Sequence, residues 1–422
     1  MLLMGFAQVD ITPDGPVEMV GFGRADEMSR GVESPLAAQI SVWESGEEVC
    51  CLTAVDSIGF SVKNSRLLRE TVADVIGVTA SRVMLCFSHT HSAPNESSSR
   101  EYFSFVRDKV VEGAKKALES MRPVRIGWKS AKAEIGVNRR RGGRVDDRVG
   151  ILKVCAEGGE PVLALLRLTA HCNSLKADNY LISPDYFGRV RSLLSNKFGC
   201  PVMLTQGAAG DVAPRYYCSE INVPDDCAGR SIRSEAALDD MAAAVLKAAA
   251  PVFENVSAEE VDFLAMYANT IDLWADVPGE EEAKRTAAEA MAACGIDGSS
   301  WLKETERLRA EGTEEQSEKV EVQFFNAGGF TLCGVPDEVM SESTLRLSER
   351  LDDENFHFGG YTNGCCGYLP TAEEFDRGGY EIYWSLLTFW PYFGRVWPLR
   401  RDSEERLAEF IAKNRREYSG FG

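Results

Sequence analysis

The chain has 422 residues, and its 65 acidic residues against 46 Lys and Arg give a formal net charge of −19. So negative a protein is a poor partner for nucleic acid or an anionic membrane, because both carry the same sign of charge. The hydrophobic fraction of 44% is too high for a disordered chain, and no apolar run reaches the ~18 residues of a membrane-spanning helix. The first residues lack a basic segment ahead of Asp10, so we expect no secretory signal.

In the first half of the chain, predicted strands alternate with predicted helices. The strands are short apolar runs at residues 49–55, 83–87, 162–168 and 202–205. The helices, with apolar residues three or four positions apart, are at residues 63–77, 102–121, 185–198 and 230–249. This alternation predicts an α/β fold, a layered sandwich in which helices flank a central mixed β-sheet. We expect the active site at the carboxyl ends of the strands, where ligands bind in open α/β sheets.

Residues 278–321 are rich in Glu, Ala, Lys and Arg and contain few large apolar side chains. We interpret them as two surface helices, a helical excursion from a single catalytic domain that spans residues 1–422. Buried-strand patterns then return at three places, and an amphipathic helix is predicted near the end of the chain. These segments are residues 324–325, 330–335, 356–361 and 403–418.

Three of the four histidines in the sequence directly follow predicted strands. His89 and His91 come after the second strand and His171 after the third, while Glu338 follows a later strand. Catalytic zinc sites use about three His or carboxylate ligands and leave one position for water. The sequence therefore predicts a catalytic zinc site, although spacing alone leaves open that each histidine is a hydrogen-bonded loop residue. The fourth histidine, His357, lies within a predicted strand and is interpreted as a core or surface residue.

Other sequence patterns narrow the function and the compartment. The chain has no H-E-x-x-H helix, no P-loop and no G-x-S-x-G elbow, which excludes the usual metalloproteases, P-loop enzymes and serine hydrolases. Its 12 cysteines include the adjacent pairs Cys50-Cys51 and Cys365-Cys366 and no C-x-x-C. This pattern favours free thiols in a reducing cytoplasm over a disulfide framework or a structural zinc site.

Seven short segments occur in the order of the motifs of a known family. They are AQVDITP with MVGF at 7–22, SHTHSAP at 88–94, NR at 138–139, LISPDYFG at 181–188, GDVAP at 210–214, VPDE at 335–338, and YLPTAEEF with the following Tyr-Glu at 368–381. Together they resemble the neutral/alkaline (non-lysosomal) ceramidase family, whose motifs include SHTHSGP, GDVSPN and LPGE. The match runs from the N-terminus to about residue 380, which makes the ordered set more specific than any one motif.

The resemblance implies a role for each matched residue. The four zinc ligands would be His89, His171, Glu338 and Tyr368. His91 and Arg139 would hold the substrate carbonyl and stabilise the oxyanion, since a cation and an N–H donor suit developing negative charge. Tyr380 would add a hydrogen bond.

Three aspartates near these residues have two possible roles. Asp56, Asp185 and Asp211 could orient a ligand imidazole or could cap the helix or turn that follows. The sequence also departs from the family at two sites. Ala213 replaces a serine, which favours a zinc-bound water as nucleophile, and Asp337 replaces a glycine, which adds a charge beside Glu338.

The combined expectation is a zinc-dependent amidohydrolase that cleaves a linear N-acyl amide of a small soluble substrate. The family's C-terminal β-sandwich domain is expected to be missing, and the acidic charge argues against a membrane lipid as the substrate. Two alternatives stay open. The same site could cleave an ester, lactone or phosphoester, or the chain could be a non-catalytic binding protein of the same fold. The general base and the oligomeric state are not determined by the sequence.

Overall fold

The computed structural model describes residues 1–140, 142–215 and 235–418. Its strands are β1 (Leu2–Asp10), β2 (Ala37–Ser45), β3 (Glu48–Val55), β4 (Val83–Phe87), β5 (Arg122–Lys132), β6 (Gly136–Asn138), β7 (Arg148–Ala156), β8 (Pro161–Leu168), β9 (Val202–Gln206), β10 (Val212–Pro214), β11 (Leu264–Asp276), β12 (Glu315–Ala327), β13 (Phe330–Gly334), β14 (Glu338–Val339), β15 (Phe356–Gly359) and β16 (Tyr368–Leu369). Its helices are α1 (Val62–Ile76), α2 (Arg100–Glu119), α3 (Tyr186–Phe198), α4 (Glu235–Asn255), α5 (Glu280–Cys294), α6 (Ser299–Ala310), α7 (Ser341–Leu351), α8 (Ser385–Phe393) and α9 (Ser403–Asn414).

Two β-sheets pack face to face between layers of helices. The larger sheet is mixed and has eight strands in the order β4-β3-β2-β1-β5-β7-β8-β9, and the second has the order β11-β12-β13-β15. One face of the large sheet packs on α1 to α4, and its other face packs on the second sheet. The second sheet is covered in turn by α7 and α9. The predicted α/β sandwich with helices flanking a mixed sheet is therefore confirmed.

Alternation of side chains along single strands produces these layers. In β3, Cys51 faces the helices while Leu52 faces the second sheet. In β12, Phe325 faces the large sheet while Phe324 faces the outer helices. The sequence did not predict β11, because its exposed middle interrupts the apolar run. It underestimated β12, whose first residues alternate between exposed and half-buried, and it also did not predict β1, β2, β5 and β7 of the large sheet.

The helices of the first half lie within a few residues of their predicted positions. The predicted helix at 230–249 corresponds to α4, and its first five positions lie outside the described residues. The predicted excursion at 278–321 contains α5, α6 and the start of β12. The two helices are not isolated on the surface, because the fully buried Trp301 of α6 shares a core cluster with Leu387 of α8.

The strand ends bring the predicted site residues to one edge of the molecule. The loops after β4 and β8 carry His89 and His171, and they are joined by a parallel bridge between Thr90 and Cys172. Glu338 begins β14 and lies opposite Tyr368 of β16 in a two-stranded parallel pair. The described helices include none that is long and apolar enough to cross a membrane.

Gly210, which follows β9, tests how closely these loops pack. A Cβ atom at Gly210 would lie 2.5 Å from the carbonyl oxygen of Glu338. We expect Gly210→Ala to lower the free energy of unfolding by about 1–3 kcal/mol, because backbone must move to relieve the clash. The matched control is Gly279→Ala, whose Cβ would meet no atom within 4 Å. Equal urea denaturation midpoints for the two variants would contradict the close packing.

Candidate metal centre

Three imidazoles meet at the edge where the strands end. The ligand atoms of His89, His91 and His171 lie within 4.8 Å of one another. His89 adopts a left-handed backbone conformation, with φ of 60°, which is uncommon for a residue other than glycine. The N–H of His91 donates to the carbonyl of Cys172 over 3.0 Å, which fixes the first loop against the second. The three histidines predicted from strand ends therefore share one cluster.

Each of these imidazoles is oriented by a backbone carbonyl. The Nδ1 atom of His89 lies 2.7 Å from the oxygen of Ile58, that of His91 lies 2.9 Å from Gly21, and that of His171 lies 2.6 Å from Ala209. A carbonyl can only accept a hydrogen bond, so Nδ1 carries the proton and Nε2 keeps its lone pair. The Nε2 atom of His91 is buried and has no hydrogen-bond partner among the described residues. The lone pairs therefore remain available to a cation.

Glu338 completes this cluster with an oxygen. Its Oε2 atom lies 3.4 Å from Nε2 of His89 and 3.3 Å from Nε2 of His171. The hydroxyl of Tyr361 donates to the same oxygen over 3.2 Å, and the Tyr361 ring lies 4.4 Å from that of His89 between centroids. No sequence pattern indicated a role for Tyr361. The residue matches no motif, and only its place at the end of a predicted strand could have drawn attention to it.

Burial keeps the imidazoles of this cluster neutral. It lowers the pKa of His89, His91 and His171 well below the usual value, and Glu338 partly offsets the effect at His89. Burial also raises the pKa of Glu338. A metal ion would be bound without displacing protons from the imidazoles, which is the protonation state that imidazole ligation requires.

The remaining predicted site residues surround this cluster. Tyr368 and Tyr380 line the same cavity as His89 and Glu338, with their ring centroids 6.2 Å apart. Arg139 follows β6, and its Nη2 atom donates to the carbonyl of Gly210. Its Nε atom lies 3.5 Å from a carboxylate oxygen of Glu381. Arg139 lies beside the histidines rather than in the cavity lining, and its charge lowers the pKa of His171 after the larger effect of burial.

The three aspartates have structural roles in the described chain. Asp185 accepts hydrogen bonds from the N–H groups of Tyr186 and Leu175, at the start of α3. Asp211 accepts from the N–H of Ser341 at the start of α7 and from Asn138. Asp56 accepts from Ala37 and pairs with Arg191. The capping alternative is thus the correct one for Asp185, whereas Asp211 links β6 to the distant helix α7, and backbone carbonyls orient the imidazoles.

Three further residues that the sequence singled out are His357, Asp337 and Ala213. His357 is buried in β15, where its Nε2 atom lies 3.5 Å from the hydroxyl of Ser130, so it is a core residue as predicted. Burial raises the pKa of Asp337 well above its usual range, so this residue does not add the negative charge that the sequence suggested. Ala213 is fully buried in β10 and pairs with Val137 of β6.

A cavity of about 280 Å³ opens onto the cluster. Its lining consists of Val20, Gly21, Ile58, Gly59, His89, His91, Asn95, Ser97, Glu338, Cys365, Tyr368, Tyr380, Ser385, Phe389, Tyr392 and Phe393.

Ten described cysteines are free thiols, which confirms that prediction for these ten, while Cys218 and Cys227 lie outside the described residues.

We expect Tyr361→Phe to weaken metal binding by about 10–100-fold, the usual effect of losing a group that orients a ligand. The matched control is Tyr102→Phe, since the Tyr102 hydroxyl is also buried but donates to the carbonyl of Ile11, away from the cluster. Metal affinity would be measured by competition with a chromogenic chelator. An unchanged affinity in Tyr361→Phe, or an equal loss in both variants, would contradict the role of Tyr361.

No protein-family model and no curated protein matches this sequence. Solved structures do match. The crystal structure of neutral ceramidase from Pseudomonas aeruginosa aligns with a TM-score of 0.71 over 97% of this chain and 73% of that chain, at 18% identity. A structure of ceramidase complexed with C2 aligns with a TM-score of 0.70 over 100% of this chain and 76% of that chain, at 17% identity. At such low identity the likeness establishes the fold, and the chain has the fold of the neutral ceramidases.

Proposed function

We propose that this protein is a zinc-dependent hydrolase that cleaves a linear amide of a small molecule. The observation that carries the proposal is the cluster of three imidazoles and one carboxylate beside a cavity that His89, His91 and Glu338 line. The fold supports the bond type, because the structurally similar proteins are named for cleaving ceramide, an amide. The ten free thiols favour a reducing compartment, and we propose the cytoplasm.

The donor set fits zinc. Neutral imidazole nitrogen and carboxylate oxygen are the ligands that catalytic zinc sites use, whereas Ca²⁺ and Mg²⁺ prefer oxygen ligands. The buried Nε2 atom of His91 without a protein partner is consistent with a cluster built around a cation. We assign His89, His171, Glu338 and Tyr368 as the ligands, in agreement with the motif resemblance. When bound, zinc would supply a Lewis acid and lower the pKa of water toward ~7.

The protonation state of His91 suggests how it acts. Its Nδ1 proton is committed to the carbonyl of Gly21, so Nε2 is a proton acceptor at rest. We infer that Nε2 takes the proton of the attacking water as general base. His91 would then be an imidazolium and could donate a hydrogen bond to the oxyanion, the role that the resemblance implies. Arg139 adds a permanent positive charge next to the same imidazoles.

Metal removal is the primary test. We expect a chelator to abolish amide hydrolysis, zinc to restore it, and His89→Ala to lower kcat/KM by at least about 10³-fold, since the chemistry requires the metal. The control is His357→Ala, which removes a buried imidazole of the core and should change kcat/KM only a few-fold. Full activity in His89→Ala would refute the proposal, and purified protein without bound metal would favour the non-catalytic alternative.

A panel of matched amides, esters, lactones and phosphoesters identifies the type of bond that the protein cleaves.

His91→Gln separates two possible roles of that residue. We expect it to retain one equivalent of zinc and to lose about 10²–10⁴-fold in kcat, the usual contribution of a general base. The pH profile of kcat should lose its acidic limb, because that limb reports the protonation of His91 in wild type. Loss of zinc from His91→Gln would instead make His91 a metal ligand.

A further inference from the structure

One side of the cavity is formed by the aromatic residues of α8. Phe389, Tyr392 and Phe393 all line it, with ring centroids 5.8 Å apart for Phe389–Phe393 and 6.3 Å apart for Tyr392–Phe393. The Phe393 ring packs directly on Gly367, where a Cβ atom would lie 2.7 Å from Cε2 of the ring. Gly367 precedes Tyr368, so the aromatic wall contacts the segment that carries a proposed metal ligand.

Hydrogen bonds connect this wall to Glu96 and, through Glu96, to the start of α1. The Tyr392 hydroxyl donates to Oε1 of Glu96 over 2.7 Å, and the same oxygen accepts the N–H of Ser61 at the start of α1. Behind the wall, Leu387 of α8 packs in one cluster with Trp301 of α6. The aromatic wall is thus held by the hydrogen bond to Glu96 and by the packing of α8 against the helices of the 278–321 segment.

Most of the cavity lining is apolar. Val20, Ile58 and Cys365 line the cavity together with the α8 aromatics. The polar side chain of Asn95 is already engaged, since its Oδ1 atom accepts from the N–H and hydroxyl of Ser97 and its Nδ2 atom donates to the carbonyl of Gly59. A ligand group that fills this space would bind through apolar contact.

The cavity is also small. Its volume of about 280 Å³ lies at the lower limit of the ~300–1,000 Å³ found for sites that hold drug-sized ligands. An apolar cavity of this size, bounded on one side by the aromatic wall of α8, has room for a short apolar group such as a short acyl chain. Each additional methylene of the acyl chain that is buried in the cavity should raise kcat/KM about fourfold, whereas a methylene that clashes with the α8 aromatics should lower it.

We propose that the site selects N-acyl amides with a short, compact apolar acyl group, and that Phe393 and the Tyr392–Glu96 hydrogen bond set the length limit. This inference rests on the proposed amide hydrolase function. Phe393 acts by contact with the acyl group. Tyr392 is, in addition, a positioning residue that holds α8 in place through Glu96.

The test is a series of acyl 4-nitroanilides with chains of two to sixteen carbons, assayed with zinc-loaded protein. We expect kcat/KM to rise over the first few methylenes and hexadecanoyl to fall at least about tenfold below hexanoyl. Phe393→Ala should move the optimum to longer chains, and Tyr392→Phe should raise the hexadecanoyl-to-hexanoyl ratio. The control is Phe375→Ala, because Phe375 contacts Tyr383 outside the cavity and should leave the ratio unchanged. A wild-type preference for hexadecanoyl, or an unchanged ratio in Phe393→Ala, would overturn the inference.

Acyl hydroxamates of the same chain lengths distinguish failure of this inference from failure of the proposed function. They bind metal without being cleaved, so calorimetry reports chain-length selection even if no amide is hydrolysed. Binding that strengthens to hexanoyl and weakens at hexadecanoyl, with the limit relaxed in Phe393→Ala, would support the cavity limit on its own. Affinity that keeps rising to hexadecanoyl would overturn it, whatever the outcome of the hydrolysis assay.

Discussion

The hydrogen bonds from three imidazole Nδ1 atoms to backbone carbonyls are the constraint on which the candidate site depends. The accepting carbonyls belong to Ile58, Gly21 and Ala209, which lie in three different loops. Each bond fixes both the ring orientation and the tautomer, so that all three Nε2 lone pairs point to one place. Carbonyls have no proton to exchange and carry no net charge. The site is therefore oriented without placing additional carboxylates next to the metal position.

Backbone acceptors of this kind require loops that are themselves rigid. The bridge between Thr90 and Cys172 joins the two loops that carry the histidines, and the hydrogen bond from Gly210 N–H to the carbonyl of Val339 joins the loop of Ala209 to β14. Glycine at position 210 permits this approach, since a Cβ atom there would overlap the carbonyl of Glu338. The two sheets provide the common edge at which these loops meet. The packing of the fold thus determines the tautomer of each histidine through the backbone.

The sequence identified most residues of the candidate site, but it did not predict the hydrogen bonds and strand pairings that hold them together. His89, His91 and His171 could be assigned to one site because residues that follow parallel strands meet at one edge of a sheet. Glu338 was a candidate because it follows a predicted strand, and Tyr368 became one through motif resemblance. Their pairing across β14 and β16 is a tertiary feature. The carbonyl acceptors could not be predicted, because every residue has a carbonyl and its direction depends on the folded loop.

Tyr361 and the strand β11 were missed for related reasons. Tyr361 acts through its hydroxyl on Glu338, 23 residues earlier in the chain, and belongs to no motif. The long strands β11 and β12 have exposed stretches that hide their strand pattern. In both cases the information lies in contacts between distant segments. The position of α8 at the cavity likewise follows from packing against α5 and α6, which are distant in the sequence.

Asp337 shows how burial changes the charge expected from the sequence. Its side chain is fully buried, and the nearest cation, Arg395, lies 3.8 Å away and also pairs with Glu318. Burial raises the pKa of Asp337 and outweighs the opposing effect of Arg395, so the neutral acid is favoured. A divalent cation in the cluster would then face one carboxylate, Glu338, together with neutral imidazoles. Arg139 adds a cation beside the same imidazoles, and positive charge at this place would stabilise an oxyanion formed next to it.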